Sequence, residues 1–265
     1  MKKVSDHSLF SGERGMELTA RVAVITGGAS GIGRATCLKF AAKEDKVVVA
    51  DFNEEMGQET VEQIKADGGE AIFVKTDVSK QEDVESLINK AVQTYGRIDI
   101  MFNNAGIGAG GMILDQDMEG YFKTIEVNQH GVAFGIMAAG RKMKELDNKG
   151  VIINTASVFG YLASHGTFAY QATKGAVRMM TQSAALELGA YGIRVVGIAP
   201  GGVDTPIIQG YKDMGIIDKL NASQMRGKLI KPEAIANAVY LLSLEEADAI
   251  NGNVVMVDDG YASFK

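Results

Sequence analysis

Seven short apolar runs recur along the chain, at Arg21 to Thr26, Lys46 to Ala50, Glu70 to Thr76, Ile98 to Asn103, Gly150 to Ala156, Ile193 to Ala199 and Asn253 to Asp258. They are rich in β-branched residues and nearly continuous in apolarity, the pattern of strands covered on both faces. Between them the period changes to that of a helix. The clearest helical stretch carries Val84, Leu87, Ile88, Ala91, Val92 and Tyr95 at offsets 0, 3, 4, 7, 8 and 11, is opened by a capping box at Ser79-x-x-Glu82, and stops at Gly96. Such alternation requires right-handed β-α-β crossovers, so an α/β protein is expected, with one doubly wound parallel sheet of seven strands and helices on both faces. Ligands of these sheets lie beyond the carboxyl ends of the strands, so the loops after strands are where chemistry is expected. Residues 1 to 18 are polar and aperiodic and read as an extension ahead of a single domain spanning 19 to 265.

Composition adds one positive signal and several exclusions. Glycine supplies 32 of the 265 residues and proline 3, against roughly 19 and 13 at average usage. No G-X-Y period accompanies the excess and 46% of the chain is apolar, so neither a collagen-like nor a disordered chain is expected. Ten of the glycines (Gly27, Gly28, Gly31, Gly33, Gly106, Gly108, Gly110, Gly111, Gly201 and Gly202) follow predicted strands, where tight turns let a ligand approach the backbone. A net charge of −6 argues against nucleic acid as a partner. No run approaches 18 apolar residues, and Lys2 and Lys3 precede polar residues rather than an apolar stretch, so no membrane partner and no export are expected. Cys37 alone forms no intrachain disulfide, and His7, His130 and His165 lack metal-ligand spacing. A cytoplasmic location and no metal are the expectations.

The first predicted strand runs into Thr26-Gly27-Gly28-Ala29-Ser30-Gly31-Ile32-Gly33, followed by a helical pattern from near Arg34. Glycines there let a pyrophosphate reach the helix N-terminus, whose free N–H groups favour anions. A Rossmann-like dinucleotide site is expected. The strict G-x-G-x-x-G spacing occurs instead at Gly106, Gly108 and Gly111, with Glu126 twenty residues on. Glu126 falls inside a helical stretch, so that copy lacks the second strand the fingerprint requires. Asp51, in contrast, ends the second strand, where a carboxylate accepts hydrogen bonds from both adenosine ribose hydroxyls and repels a 2′-phosphate. Neither Ser30 nor Phe52 supplies a compensating cation, so NAD is expected over NADP.

A Y-x-x-x-K pair at Tyr170 and Lys174 would share one helix face. The same spacing recurs at Tyr261 and Lys265, near a terminus where no helix is expected to hold it. Context separates them: Ser157, ending the fifth predicted strand, lies thirteen residues before Tyr170, whereas Asp248 holds that place before Tyr261. Lowering a phenol from pKa 10 by three units takes about 4 kcal/mol, which Lys174 and a positively charged nicotinamide would supply together. Ser157 would hydrogen-bond the substrate oxygen. A serine hydrolase is not expected, for want of G-x-S-x-G and of a histidine placed as base.

These motifs, with Asp77-Val78, Asn103-Asn104-Ala105-Gly106, Asn128, Tyr170-Gln-Ala-Thr-Lys174, and Pro200-Gly201 with Thr205, resemble the short-chain dehydrogenase/reductase family, of its single-domain type, over residues 20 to 262. The resemblance implies that Asp77 and Val78 meet the adenine and that Asn104, Ala105 and Gly106 line the adenosine ribose. It implies further that Asn128 holds a proton-relay water, that Lys174 bonds the nicotinamide ribose, that Val203 and Thr205 meet the carboxamide, and that Pro200 and Gly201 also touch the cofactor. Gly27, Ser30, Gly31, Ile32, Gly33, Asp51 and Phe52 complete the cofactor set, and Asn128, Ser157, Tyr170 and Lys174 the catalytic one. A homo-oligomer, tetramer or dimer, assembled through helices near 117 to 145 and 167 to 190 is likewise implied. Two departures stand out. The family's closing Val-Asp-Gly-Gly is here Val257-Asp258-Asp259-Gly260, and Tyr191 stands where acyl-carrier-protein reductases resemble one another in carrying a basic residue.

Residues 206 to 231 contain Ile207, Ile208, Tyr211, Met214, Ile216, Ile217, Leu220 and Met225, spaced as a short amphipathic lid and pointing to a small apolar substrate. With Gly108 to Leu114 and Phe159 to His165, this segment is expected to choose it. The expectation is therefore an NAD-dependent oxidoreductase interconverting a secondary alcohol and a ketone, with Tyr170 as general acid/base. The alternatives are a 3-oxoacyl-(acyl-carrier-protein) reductase and a non-catalytic NAD sensor.

Overall fold

The computed structural model describes residues 20–108, 110–213, 215 and 217–264. The polar extension at 1 to 18, Met214 and Ile216 of the expected lid, and Lys265 of the second Y-x-x-x-K pair lie outside the described residues. In chain order the main elements are β1 (Val22–Thr26), α1 (Gly31–Ala41), β2 (Lys46–Asp51), α2 (Glu54–Ala66), β3 (Ala71–Lys75), α3 (Gln81–Tyr95) and β4 (Ile100–Asn103). There follow α4 (Met118–Ile125), a π-helical turn (Glu126–His130), α5 (Gly131–Glu145), β5 (Val151–Thr155), α6 (Phe168–Leu188) and β6 (Arg194–Pro200). Then come α7 (Gln209–Asp213), α8 (Ile217–Ala222), α9 (Pro232–Leu242) and β7 (Val254–Val257).

The seven strands form one parallel sheet in the order β3-β2-β1-β4-β5-β6-β7, with Ile25 opposite Val49 on one side and Phe102 on the other. The chain turns back across the sheet between β1 and β4. Near-continuous apolarity of the strands has the expected cause, since successive residues of β1 enter different cores. Val22 and Val24 pack with Leu87 of α3, Ile136 of α5 and Val177 of α6, while Ala23 and Ile25 pack with Phe40 of α1, Ile64 of α2 and Val239 of α9. None of the described helices is long and apolar enough to cross a membrane.

The expected capping box is a correction. Lys80, not Ser79, precedes α3, and no side chain caps it. Ser79 instead donates its hydroxyl and its N–H to Asp77 Oδ1 at 2.6 and 3.1 Å, while Asp83 Oδ2 accepts the Asp77 N–H at 3.0 Å. An ionised carboxylate is the stronger acceptor, and it draws the serine away from the helix end. Gly96 does end α3, with φ +80.

Candidate active site

Beyond the carboxyl ends of the strands lies a cleft of about 1310 Å³, larger than the roughly 300–1,000 Å³ typical of a drug-sized ligand's pocket. One end begins at the glycine-rich loop after β1. Gly27 holds φ +68, and a Cβ there would stand 2.9 Å from Asn104 Nδ2. The neighbouring loops are stapled together by Thr26, whose Oγ1 accepts from the N–H groups of Asn104 and Ala105 at 2.9 and 3.1 Å, while Asn104 Nδ2 donates to Thr26 O at 3.0 Å. Ser30 precedes α1 without capping it by its side chain, and the first turn carries no acidic residue. The amides of α1 thus face a concave, glycine-walled space that fits a pyrophosphate.

Asp51, the last residue of β2, is fixed by its own backbone surroundings, with Oδ2 accepting the Ala29 N–H at 3.0 Å and Oδ1 the Asn53 N–H at 2.9 Å. Phe52 beside it is 70% exposed, an uncovered ring at the mouth of the cleft. Against burial, which would raise it, hydrogen bonds from Ser79 and the charges of Lys123 and Lys80 hold the Asp77 carboxyl below its usual range. The lining includes Gly27, Ser30, Gly31, Ile32, Asp51, Phe52, Asp77, Val78, Asn104, Ala105, Gly106, Pro200, Gly201, Val203 and Thr205, so nearly the whole expected cofactor set borders one space. Gly33 is the exception. A Cβ there would fall 1.9 Å from Gly27 O, so this glycine lets α1 pack against the loop from behind.

Further along, Ser157, Tyr170 and Lys174 line the same cleft. Ser157 follows β5, and its Oγ accepts the Phe159 N–H at 3.2 Å. Four residues after Tyr170 on α6, Lys174 is only 3% exposed; its Nζ donates to Thr155 O at 2.7 Å and lies 5.5 Å from the Tyr170 ring centre. Burial pushes the Lys174 ammonium down to about 8. Asn128 is wholly buried in the π-helical turn and does not border the cleft. Its amide clasps the backbone of Ile107, accepting from the N–H at 2.8 Å and donating to the carbonyl at 2.9 Å. One N–H and one lone pair of that amide remain for another partner.

The literal G-x-G-x-x-G match at Gly106, Gly108 and Gly111 also borders the cleft but introduces no α-helix; a short 3-10 turn, Ile113–Asp115, comes next, and α4 starts only at Met118. Gly111 is held by its N–H to Gly166 O at 2.9 Å. The segment 206 to 231 forms α7 and α8 and contributes Ile207, Ile208 and Leu220 to the lining. Its far end is tied down: Gln224 Nε2 donates to Gly202 O at 3.0 Å, and Arg226 Nε to Asp259 Oδ1 at 2.7 Å. Tyr191 has a cation after all, since Lys144 of α5 donates to its hydroxyl at 3.1 Å. Reading along the chain misses this pair because its members are 47 residues apart. It also misses Thr155, which acts through a carbonyl every residue has, and Tyr261, which lines the cleft from the C-terminal turn.

A parallel sheet with a glycine-walled first loop, an acid closing β2 and a Tyr-x-x-x-Lys pair beside the cleft defines a Rossmann-like α/β protein. The family model described as enoyl-(acyl carrier protein) reductase matches residues 27–262. A 2,5-dichloro-2,5-cyclohexadiene-1,4-diol dehydrogenase of Sphingobium indicum is 38% identical over 245 residues, covering 92% of this chain and 97% of its own. Short-chain dehydrogenase reductase 3a of Arabidopsis thaliana is 35% identical over 95% of this chain and 98% of its own, and a cyclopentanol dehydrogenase of Comamonas testosteroni 32% identical over 92% and 97%. The crystal structure of gox2181 superposes with a TM-score of 0.89 at 29% identity, covering 93% of this chain and 97% of that one. The chain belongs to the short-chain dehydrogenase/reductase family, whose members typically use a nicotinamide cofactor.

Proposed function

We propose that the protein is an NAD-dependent oxidoreductase that interconverts a small apolar secondary alcohol and its ketone. The observation that carries this reading is the placement of Ser157, Tyr170 and a buried Lys174 in the cleft that begins at the glycine-walled loop. The first loop, with Ser30, Gly31 and Ile32, would hold the pyrophosphate, Asp51 the adenosine ribose, Asp77 and Val78 the adenine, and Val203 and Thr205 the carboxamide. When bound, the nicotinamide takes up or delivers the hydride at the carbinol carbon. Ser157 Oγ holds the substrate oxygen. Tyr170 takes the hydroxyl proton in the oxidation and returns it in the reduction. Lys174, with a pKa of about 8, stays mostly charged at neutral pH and favours the Tyr170 phenolate. One of its three N–H donors is engaged by Thr155 O, leaving two for the nicotinamide ribose and a relay water, while Asn128 would act from behind the cleft by holding the Ile107 backbone.

NAD is favoured over NADP because the Asp51 carboxylate, held at the end of β2 by the Ala29 and Asn53 N–H groups, would repel a 2′-phosphate, and Arg34 is turned to Gln63 Oε1 at 2.8 Å. The ring alcohols in the names of two relatives make carbocyclic alcohols the first compounds to try. A 3-oxoacyl group on acyl-carrier protein is the second reading, favoured by the Lys144 charge against Tyr191 and tested by adding 3-oxoacyl thioesters to the same panel. Tyr170→Phe is expected to lower turnover at least about 10²-fold while NADH binding, followed by fluorescence, is unchanged. Retained turnover overturns the mechanism, and tighter binding of NADPH than NADH overturns the role of Asp51.

A further inference from the structure

The C-terminal turn brings an aromatic residue into the substrate end of the cleft. Asp258, 6% exposed, organises this turn: its backbone carbonyl accepts the Tyr261 N–H at 3.1 Å, and its carboxylate accepts the N–H groups of Gly260 and Ala262 at 3.1 and 2.8 Å. Tyr261, itself only 6% exposed, thereby lines the cleft with its ring edge-to-face against Phe159, centres 6.1 Å apart and planes at 87°. Phe159 is fixed in turn through its N–H to Ser157 Oγ. Phe159 and Tyr261 therefore line the same cleft as Ser157, and Phe159 belongs to the short loop that carries the hydroxyl that would hold the substrate oxygen. The same cleft is also lined by the apolar side chains of Ile107, Met112, Ile207 and Leu220.

We infer that Tyr261 is a specificity-determining residue: with Phe159 it forms a rigid aromatic wall against which the ring of a carbocyclic secondary alcohol packs while its hydroxyl meets Ser157. An edge-to-face pair offers flat apolar surface with few rotatable bonds, and a carbocycle covers such a surface without the conformational entropy an open chain loses. The inference rests on the reading of the protein as an alcohol oxidoreductase, and it concerns which alcohol is selected rather than how the proton moves.

The test compares wild type with Tyr261→Phe, Tyr261→Leu and Tyr261→Ala, the leucine variant keeping buried volume in case the alanine variant fails to fold. kcat/KM is measured for cyclopentanol and cyclohexanol against 2-butanol and 2-pentanol, with NAD. In parallel, calorimetry measures binding of cyclopentanone and 2-pentanone to the NADH-loaded protein. Tyr261→Phe is expected to keep the wild-type ring-to-chain ratio. Tyr261→Leu and Tyr261→Ala are expected to lower it about tenfold, in catalysis and in ketone binding alike, with NADH affinity within twofold of wild type. An unchanged ratio, or an equal loss for ring and chain, overturns the inference and leaves the oxidoreductase reading standing. Wild-type protein that binds NADH but neither oxidises any of the alcohols nor binds either ketone overturns both.

Discussion

Lys174 carries an ammonium into a place with almost no water, where Thr155 O accepts from it at 2.7 Å. Burial lowers its pKa from the usual 10.5 to about 8, so the sign of its effect on stability follows directly. Below pH 8 the lysine is charged in both folded and unfolded chains, and the full cost of burying that charge is present. Between pH 8 and 10.5 the unfolded chain still holds the proton and the folded one has released it, so stability rises with pH across this window. Lys174→Met has no such titration. Urea unfolding of both proteins from pH 7 to 10.5 is expected to show the wild type gaining on the variant by up to about 3 kcal/mol. A pH-independent difference would mean that folding leaves the lysine's proton affinity unchanged, so that Lys174 stays charged in the folded protein across the range and burial does not lower its pKa.

At the scale of the element, the C-terminal turn departs most clearly from the family's pattern. Asp259 occupies φ +51, a left-handed conformation that favours glycine, and its carboxylate accepts the N–H of Arg226 at 3.0 Å and Nε at 2.7 Å. The backbone hydrogen bond first, then the Arg226 charge, holds the Asp259 carboxyl below its usual range. One side chain thus ties the end of the 206 to 231 segment to the turn that presents Tyr261. Asp259→Gly removes the tie and relaxes the backbone; Asp259→Ala removes the tie and leaves a Cβ in the left-handed region, at about 1 kcal/mol. The alanine variant is therefore expected to melt about 2–4 °C below the glycine variant, and equal melting temperatures would mean that the turn rearranges. The same turn marks where local reading of the chain ends. Strand positions were legible because β1 alternates between two cores residue by residue, and Asp51 was legible because a strand end is a local feature. Ser79 was misread because its competitor, the Asp77 carboxylate, becomes relevant only once the β3–α3 turn is folded. Asn128 needed the family resemblance, since its partner is the backbone of Ile107. Tyr261 could not be placed, because its ring reaches the cleft through a conformation fixed by the Asp258 carboxylate.

Across the whole molecule, the apolar surface left uncovered is unevenly placed. Met118 and Phe122 of α4, Met137 of α5, and Phe168, Met179 and Leu186 of α6 are all exposed, Leu186 at 86%, whereas α2 of the opposite layer exposes mainly charged and polar residues such as Glu55 and Glu62. Large apolar side chains concentrated on one layer of helices mark an interaction surface. Behind it α5 and α6 pack closely against each other, a Cβ at Gly140 coming 3.0 Å from Leu188. Closed symmetry would let one patch meet its own copy, which makes a homo-oligomer the proposed assembly. Light scattering during gel filtration is expected to give a multiple of the 28.2 kDa chain mass. Leu186→Glu combined with Met179→Glu places four carboxylates in a two-copy contact and is expected to shift the protein to the single-chain mass at micromolar concentration. Because both positions lie on the outward side of α6, away from Tyr170 and Lys174, NADH affinity should be retained. A wild type already at 28.2 kDa would overturn the proposed assembly, and a double variant of undiminished mass would place its surface elsewhere.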